Sequence, residues 1–64
     1  MKKYRVVVTW NSGYIEPVDF EAETLAILFR NSCIEEYNIR EVSLFKLNEN
    51  GKIDWTYNRG GNLL

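Results

Sequence analysis

Residues 4–20, Tyr4-Arg5-Val6-Val7-Val8-Thr9-Trp10-Asn11-Ser12-Gly13-Tyr14-Ile15-Glu16-Pro17-Val18-Asp19-Phe20, read as a complete β-hairpin. Tyr4 to Trp10 is rich in β-branched and aromatic residues, which suit a pleated, half-buried strand. Asn11-Ser12-Gly13 then forms a three-residue loop, with glycine where the backbone turns left-handed. A second strand runs from Tyr14 to about Glu23, and Pro17, lacking an N–H, marks it as an edge strand. Such a loop pairs Trp10 with Tyr14 and so sets the register. One face receives Tyr4 opposite Phe20, Val6 opposite Val18 and Val8 opposite Glu16, with Ala22 beyond. The other receives Lys3 opposite Glu21, Arg5 opposite Asp19, Val7 opposite Pro17 and Thr9 opposite Ile15. The opposite-charge pairs contribute about 0.2–1 kcal/mol each, and a one-residue slip would destroy both them and the apolar face.

Downstream, Thr24 is the expected N-cap of a helix running from Leu25 to Tyr37 and ending near Asn38. At about 100° per residue, Ala26, Ile27, Phe29, Cys33, Ile34 and Tyr37 cover a broad apolar arc containing Arg30, with Leu25 at its edge. Asn31, Ser32 and Glu35 hold the opposite arc, and Leu28 sits among them. Arg40 to Asn48 is a third strand, Asn50-Gly51 a two-residue turn, and Lys52 to Tyr57 a fourth strand. That turn places Ile53, Trp55 and Tyr57 on one face with Val42, Leu44 and Lys46, and puts Ser43, Phe45, Leu47, Asp54 and Thr56 on the other.

The expected fold is therefore α+β: a ββαββ chain making a four-stranded sheet with one helix packed on one face. Residues 1–57 form a single domain, and 58–64 a flexible tail. Two strand orders fit, 2-1-4-3 with the fourth strand central, and the all-antiparallel 2-1-3-4. In element order and length the chain resembles the β-grasp family. The resemblance implies the first order, with strand 4 parallel to strand 1, and the aromatic core face of strand 4 suits that central position. It supplies no binding residues, because fold alone does not carry function.

A chain of 64 residues buries only about 60% of its unfolded surface and is marginal on its own. Cys33 is the single cysteine and there is no histidine, so an internal disulfide is impossible and a structural zinc is not expected. No metal and no cofactor is expected. Eight Lys and Arg against nine Asp and Glu give a net charge of −1, without the basic footprint of a nucleic-acid binder. Met1-Lys2-Lys3 is not followed by the apolar core of a signal peptide, and Leu25 to Phe29 is too short to span a bilayer. A cytoplasmic location, with no membrane partner, is the expectation. Seven asparagines (11, 31, 38, 48, 50, 58, 62) exceed what turns require and fit an AT-rich gene, as in many phages and low-GC bacteria.

Each candidate site has a plainer reading. Cys33 lacks a histidine partner and falls in the helix's apolar arc, so it reads as a small buried hydrophobe. Glu35 and Glu36 diverge on the helix, and Glu16 falls on the core face opposite Val8, past the end of the helix and within reach of water. A convergent acid–base pair is therefore not expected. Trp10, Tyr14, Trp55 and Tyr57 read as core aromatics rather than a base-stacking platform. Arg59-Gly60-Gly61 is similar to the tail of conjugated ubiquitin-like proteins, but Asn62-Leu63-Leu64 follows it. No phosphate-loop, dinucleotide or zinc-protease pattern occurs in the chain.

What remains is surplus apolar surface. Val7, Ile15, Pro17, Phe45 and Leu47 fall on the sheet face away from the helix, and Leu28 on the polar arc of the helix. These six are the expected partner-binding residues. They point to a non-enzymatic protein–protein interaction module, self-associated as a homodimer or bound to another protein. A phage or mobile-element accessory protein, such as a stoichiometric inhibitor of a host system, suits that size and composition. The alternative is a small ligand- or nucleic-acid-binding module using Lys3, Arg5 and the aromatics.

Overall fold

The computed structural model describes residues 2–56. Five elements follow one another: β1 (Tyr4–Trp10), β2 (Ile15–Phe20), α1 (Glu23–Ile34), β3 (Ile39–Leu47) and β4 (Ile53–Asp54). The four strands make one sheet in the order β2-β1-β3-β4, with every neighbouring pair antiparallel. The β-grasp order is therefore not adopted. β3, with nine residues, lies beside β1 along its whole length and sets Leu44 against Val6 and Val42 against Val8. β4 has only two residues and lies at the edge. Its strand ends because the Asp54 carboxylate accepts the Thr56 N–H at 3.0 Å and the Thr56 hydroxyl at 2.6 Å, which bends the backbone into a turn.

The β1–β2 hairpin has the register expected from sequence, from Tyr4 opposite Phe20 to Thr9 opposite Ile15. Its loop closes through Trp10 N–H to the Tyr14 carbonyl (2.9 Å) and Gly13 N–H to the Trp10 carbonyl (2.8 Å), with Gly13 at φ +97°. Beyond Tyr4 opposite Phe20 the backbone bonding continues, with Lys3 N–H donating to the Phe20 carbonyl at 2.9 Å and Leu47 N–H to the Lys3 carbonyl at 2.7 Å.

The second hairpin repeats that loop. Asn48 N–H bonds the Lys52 carbonyl (2.7 Å), Gly51 N–H bonds the Asn48 carbonyl (2.9 Å), and Gly51 sits at φ +79°. Glu49-Asn50-Gly51 is thus a three-residue loop, not the expected two-residue turn. The Asn48 side-chain oxygen helps select it by accepting the Asn50 and Lys52 N–H groups. The register becomes Lys46–Asp54 and Leu47–Ile53. One residue of slip exchanges the two faces of β4, so Trp55 leaves the expected core position. It is 77% exposed and meets Phe45 edge-on, with ring centroids 5.4 Å apart. Tyr57 and the expected tail, 58–64, lie outside the described residues.

α1 begins at Glu23 behind Ala22, which has extended backbone and no capping side chain; Thr24, the expected cap, lies inside the first turn. The helix stops at Ile34 rather than Tyr37. Glu36 N–H returns to the Cys33 carbonyl and Ile39 N–H to the Glu36 carbonyl, which leaves Tyr37 in a turn and 85% exposed. Ala26 and Cys33 are the buried helical residues. They close the core over Val6, Val8, Val42 and Leu44, ringed by Tyr4, Trp10, Phe20, Phe29 and Ile39. Ile34 faces solvent instead of joining the core.

Candidate interaction surface

A single helix covers one face of the sheet. Among the described residues, strand alternation builds the other face in rows. Asp19, Arg5 and Phe45 form one row, Pro17, Val7 and Ser43 the next, and Ile15, Thr9 and Glu41 the third. Trp55 extends the first row through its contact with Phe45. Ile15 is 59% exposed, Pro17 is exposed, and Val7 and Phe45 are half-buried by their neighbours.

Two of the six expected binding residues do not belong to this patch. Leu47 is buried, outside the main core cluster and opposite Ile53, and so offers a partner little surface. Leu28 is exposed on the helix, in the other layer of the molecule, and one flat contact cannot hold both it and the sheet face. The residue that sequence reasoning missed is Trp55. The signal was available, because Trp10-Asn11-Ser12-Gly13-Tyr14 and Asn48-Glu49-Asn50-Gly51-Lys52 are loops of one length closed by glycine at one position.

Besides Glu41 in its third row, this face carries the Arg5–Asp19 pair. Arg5 Nε donates to Asp19 Oδ1 at 2.8 Å and Nη2 to Oδ2 at 3.0 Å, a two-pronged contact. Those hydrogen bonds hold the Asp19 carboxyl below the usual carboxylate range, against the opposing effect of burial, and hold the guanidinium above its usual value. Each side chain is 31% exposed, so water screens the pair substantially.

On the helix side, where β1 ends, a groove of about 360 Å³ opens between sheet and helix. Val8 and Cys33 form its floor, Trp10, Phe29 and Ile39 its walls, and the Glu16 and Glu36 carboxylates its charged rim. A shift in register between Thr9 and Trp10 leaves Arg40 as an extra residue on β3. It places Ile39 opposite Trp10, and so on the helix side. Trp10 Nε1 donates to Glu16 Oε1 at 3.2 Å, and Asn38 Nδ2 to Glu36 Oε2 at 3.2 Å. Glu16 and Glu36, not expected to converge, thus share one groove; Glu35 does not line it. Burial, and then the charges of Glu16 and Glu36, push the Cys33 thiol up, which keeps it a protonated filler and not a nucleophile.

Among the described residues no group of three or more His, Cys, Asp or Glu side chains could hold a metal ion, and no helix is long and apolar enough to cross a membrane. Comparisons of the chain with family models, with curated proteins and with solved structures find no match.

Proposed function

We propose that this chain is a non-catalytic protein-interaction module that self-associates through the open face of its sheet. One observation carries the reading: Val7, Ile15, Pro17, Phe45 and Trp55 share a face that no helix covers among the described residues. Exposed apolar residues grouped on one surface are the mark of a contact. A second copy suits this face because Arg5 and Asp19 sit side by side within it. A two-fold axis through the pair sets each cation near the other copy's anion, and two-fold dimers are the commonest homo-oligomers.

β1, β2 and β3, seven, six and nine residues long and about 4.8 Å apart, with two-residue β4 at the edge, offer roughly 400 Å². That is the small end of specific interfaces, so the dimer is expected to form in the micromolar range. Sedimentation or light scattering from low micromolar to near-millimolar concentration tests it. Phe45→Glu should remain monomeric throughout, whereas Leu28→Glu, in the other layer, should dimerise like the wild type. A wild type that is monomeric at every concentration removes the reading, and loss of the dimer with Leu28→Glu alone moves the contact to the helix.

A further inference from the structure

The groove beside Trp10 carries two carboxylates that accept hydrogen bonds from the neutral side chains of Trp10 and Asn38. Among the described residues its lining has an indole, four apolar side chains counting Cys33, one serine and two carboxylates, Glu16 and Glu36, and no lysine or arginine. α1 also ends here, so the negative end of its dipole lies beside the groove. A helix C-terminus ordinarily draws basic residues; this one has none in its last turn, with Glu35 at the cap and Glu36 next. Arg40, the nearest base along β3, spends a guanidinium N–H on the Asn11 carbonyl at 3.2 Å. Acids at the negative end of a helix work against stability. Glu16 and Glu36 accept hydrogen bonds from the neutral Trp10 and Asn38 donors, which leave their charge for a partner to meet, and local rules broken in this way are expected at functional sites.

The shape narrows what that partner is. The groove is shallow and open, at the low end for pockets that enclose a free small molecule, and its aromatic and apolar walls suit an alkyl stem. A lysine or arginine side chain matches on both counts: its stem packs on apolar surface and its head reaches carboxylates. Trp10 adds an aromatic face, the preferred ring for a cation.

We propose that this groove binds a lysine or arginine side chain presented by a partner protein, with Glu16 and Glu36 meeting the charge and Trp10, Phe29 and Ile39 the stem. The site lies on the helix side of the sheet and stands or falls independently of the open-face dimer.

The test is titration of the isotopically labelled full chain, followed at the Trp10 indole N–H, with Trp55→Phe removing the second indole. The probes are short capped peptides with a central lysine, a central arginine or a central norleucine, the last being a neutral mimic of the lysine stem, together with butylammonium as a free cation. The lysine and arginine peptides should shift the signal saturably in the millimolar range, and norleucine roughly fivefold more weakly, the scale of one exposed charge contact. Glu16→Gln keeps an oxygen for the Trp10 N–H and so should keep the fold. It and Glu36→Gln should each weaken the lysine peptide by about threefold. Equal response to norleucine, or unchanged binding in a folded double variant, overturns the proposal. So does a response to butylammonium that no peptide reproduces, since the source would then be a free amine.

Discussion

Asp19 gives up its proton more readily in the folded chain because Arg5 donates two hydrogen bonds to it. A carboxyl whose folded value is lowered contributes stability that is present above its unfolded value, about 3.9. That contribution is lost as pH falls through the lower folded value. With both partners 31% exposed, the contribution is about 0.5–1 kcal/mol. Asp19→Asn should remove it at neutral pH and flatten the acid limb of a stability–pH curve measured by urea unfolding; an unchanged acid limb would place the acid sensitivity elsewhere. This contact was legible in the sequence because two patterns, apolar face and charge pairing, converged on one register. Trp55 was not. Its 77% exposure and its edge-on ring contact with Phe45 predict that Trp55→Ala costs no more than about 1.5 kcal/mol. Val8→Ala, at a position 1% exposed, should cost about 2 kcal/mol or more. Thermal melts of the two variants decide between a core built on valines and one built on the tryptophan.

The same loop closes both hairpins, yet only the first could be read with the right length. Asn11-Ser12-Gly13 has no competing turn within it, whereas Asn50-Gly51 is also the strongest two-residue turn signal. What decides for three residues is the Asn48 side chain, which gathers the N–H groups of Asn50 and Lys52. Gly51 at φ +79° is then obligatory in conformation although nothing crowds it. Gly51→Ala should cost about 1–2 kcal/mol, the strain of a left-handed residue with a side chain, and Gly51→Asn distinctly less. Equal denaturation midpoints for the three chains would mean that the loop readily adopts another form. The helix boundaries were misread for a related reason. Thr24 looks like a cap, but Ala26 N–H already bonds the Ala22 carbonyl, so the first turn forms without help from any side chain.

For the whole molecule, element order and the class of fold followed from periodicity, while strand order did not. The choice between β3 and β4 as the neighbour of β1 turns on length, and β4 is cut short by a two-residue contact, Asp54 to Thr56, that no periodicity reveals. The candidate surface was legible where it rests on the first hairpin, in Val7, Ile15 and Pro17. It was illegible where it depends on the second, in Leu47 and Trp55. The Glu16–Glu36 groove depends on the irregularity at Arg40, which has no sequence signature of its own. Pro17 carries one more implication. Trp10 N–H bonds the Tyr14 carbonyl, so the backbone groups of even-numbered residues on β2 point toward β1, and those of Ile15, Pro17 and Asp19 point outward. At the middle of that outer rim the donor is missing, and an arriving extended chain finds a gap where it needs a hydrogen bond. The rim cannot template stacking of further molecules into fibrils, even though the neighbouring face is apolar enough to invite it. Restoring the donor with Pro17→Val should leave the melting temperature nearly unchanged while shortening the lag before thioflavin-positive aggregates form under agitation; an unaltered lag would show that growth is blocked elsewhere.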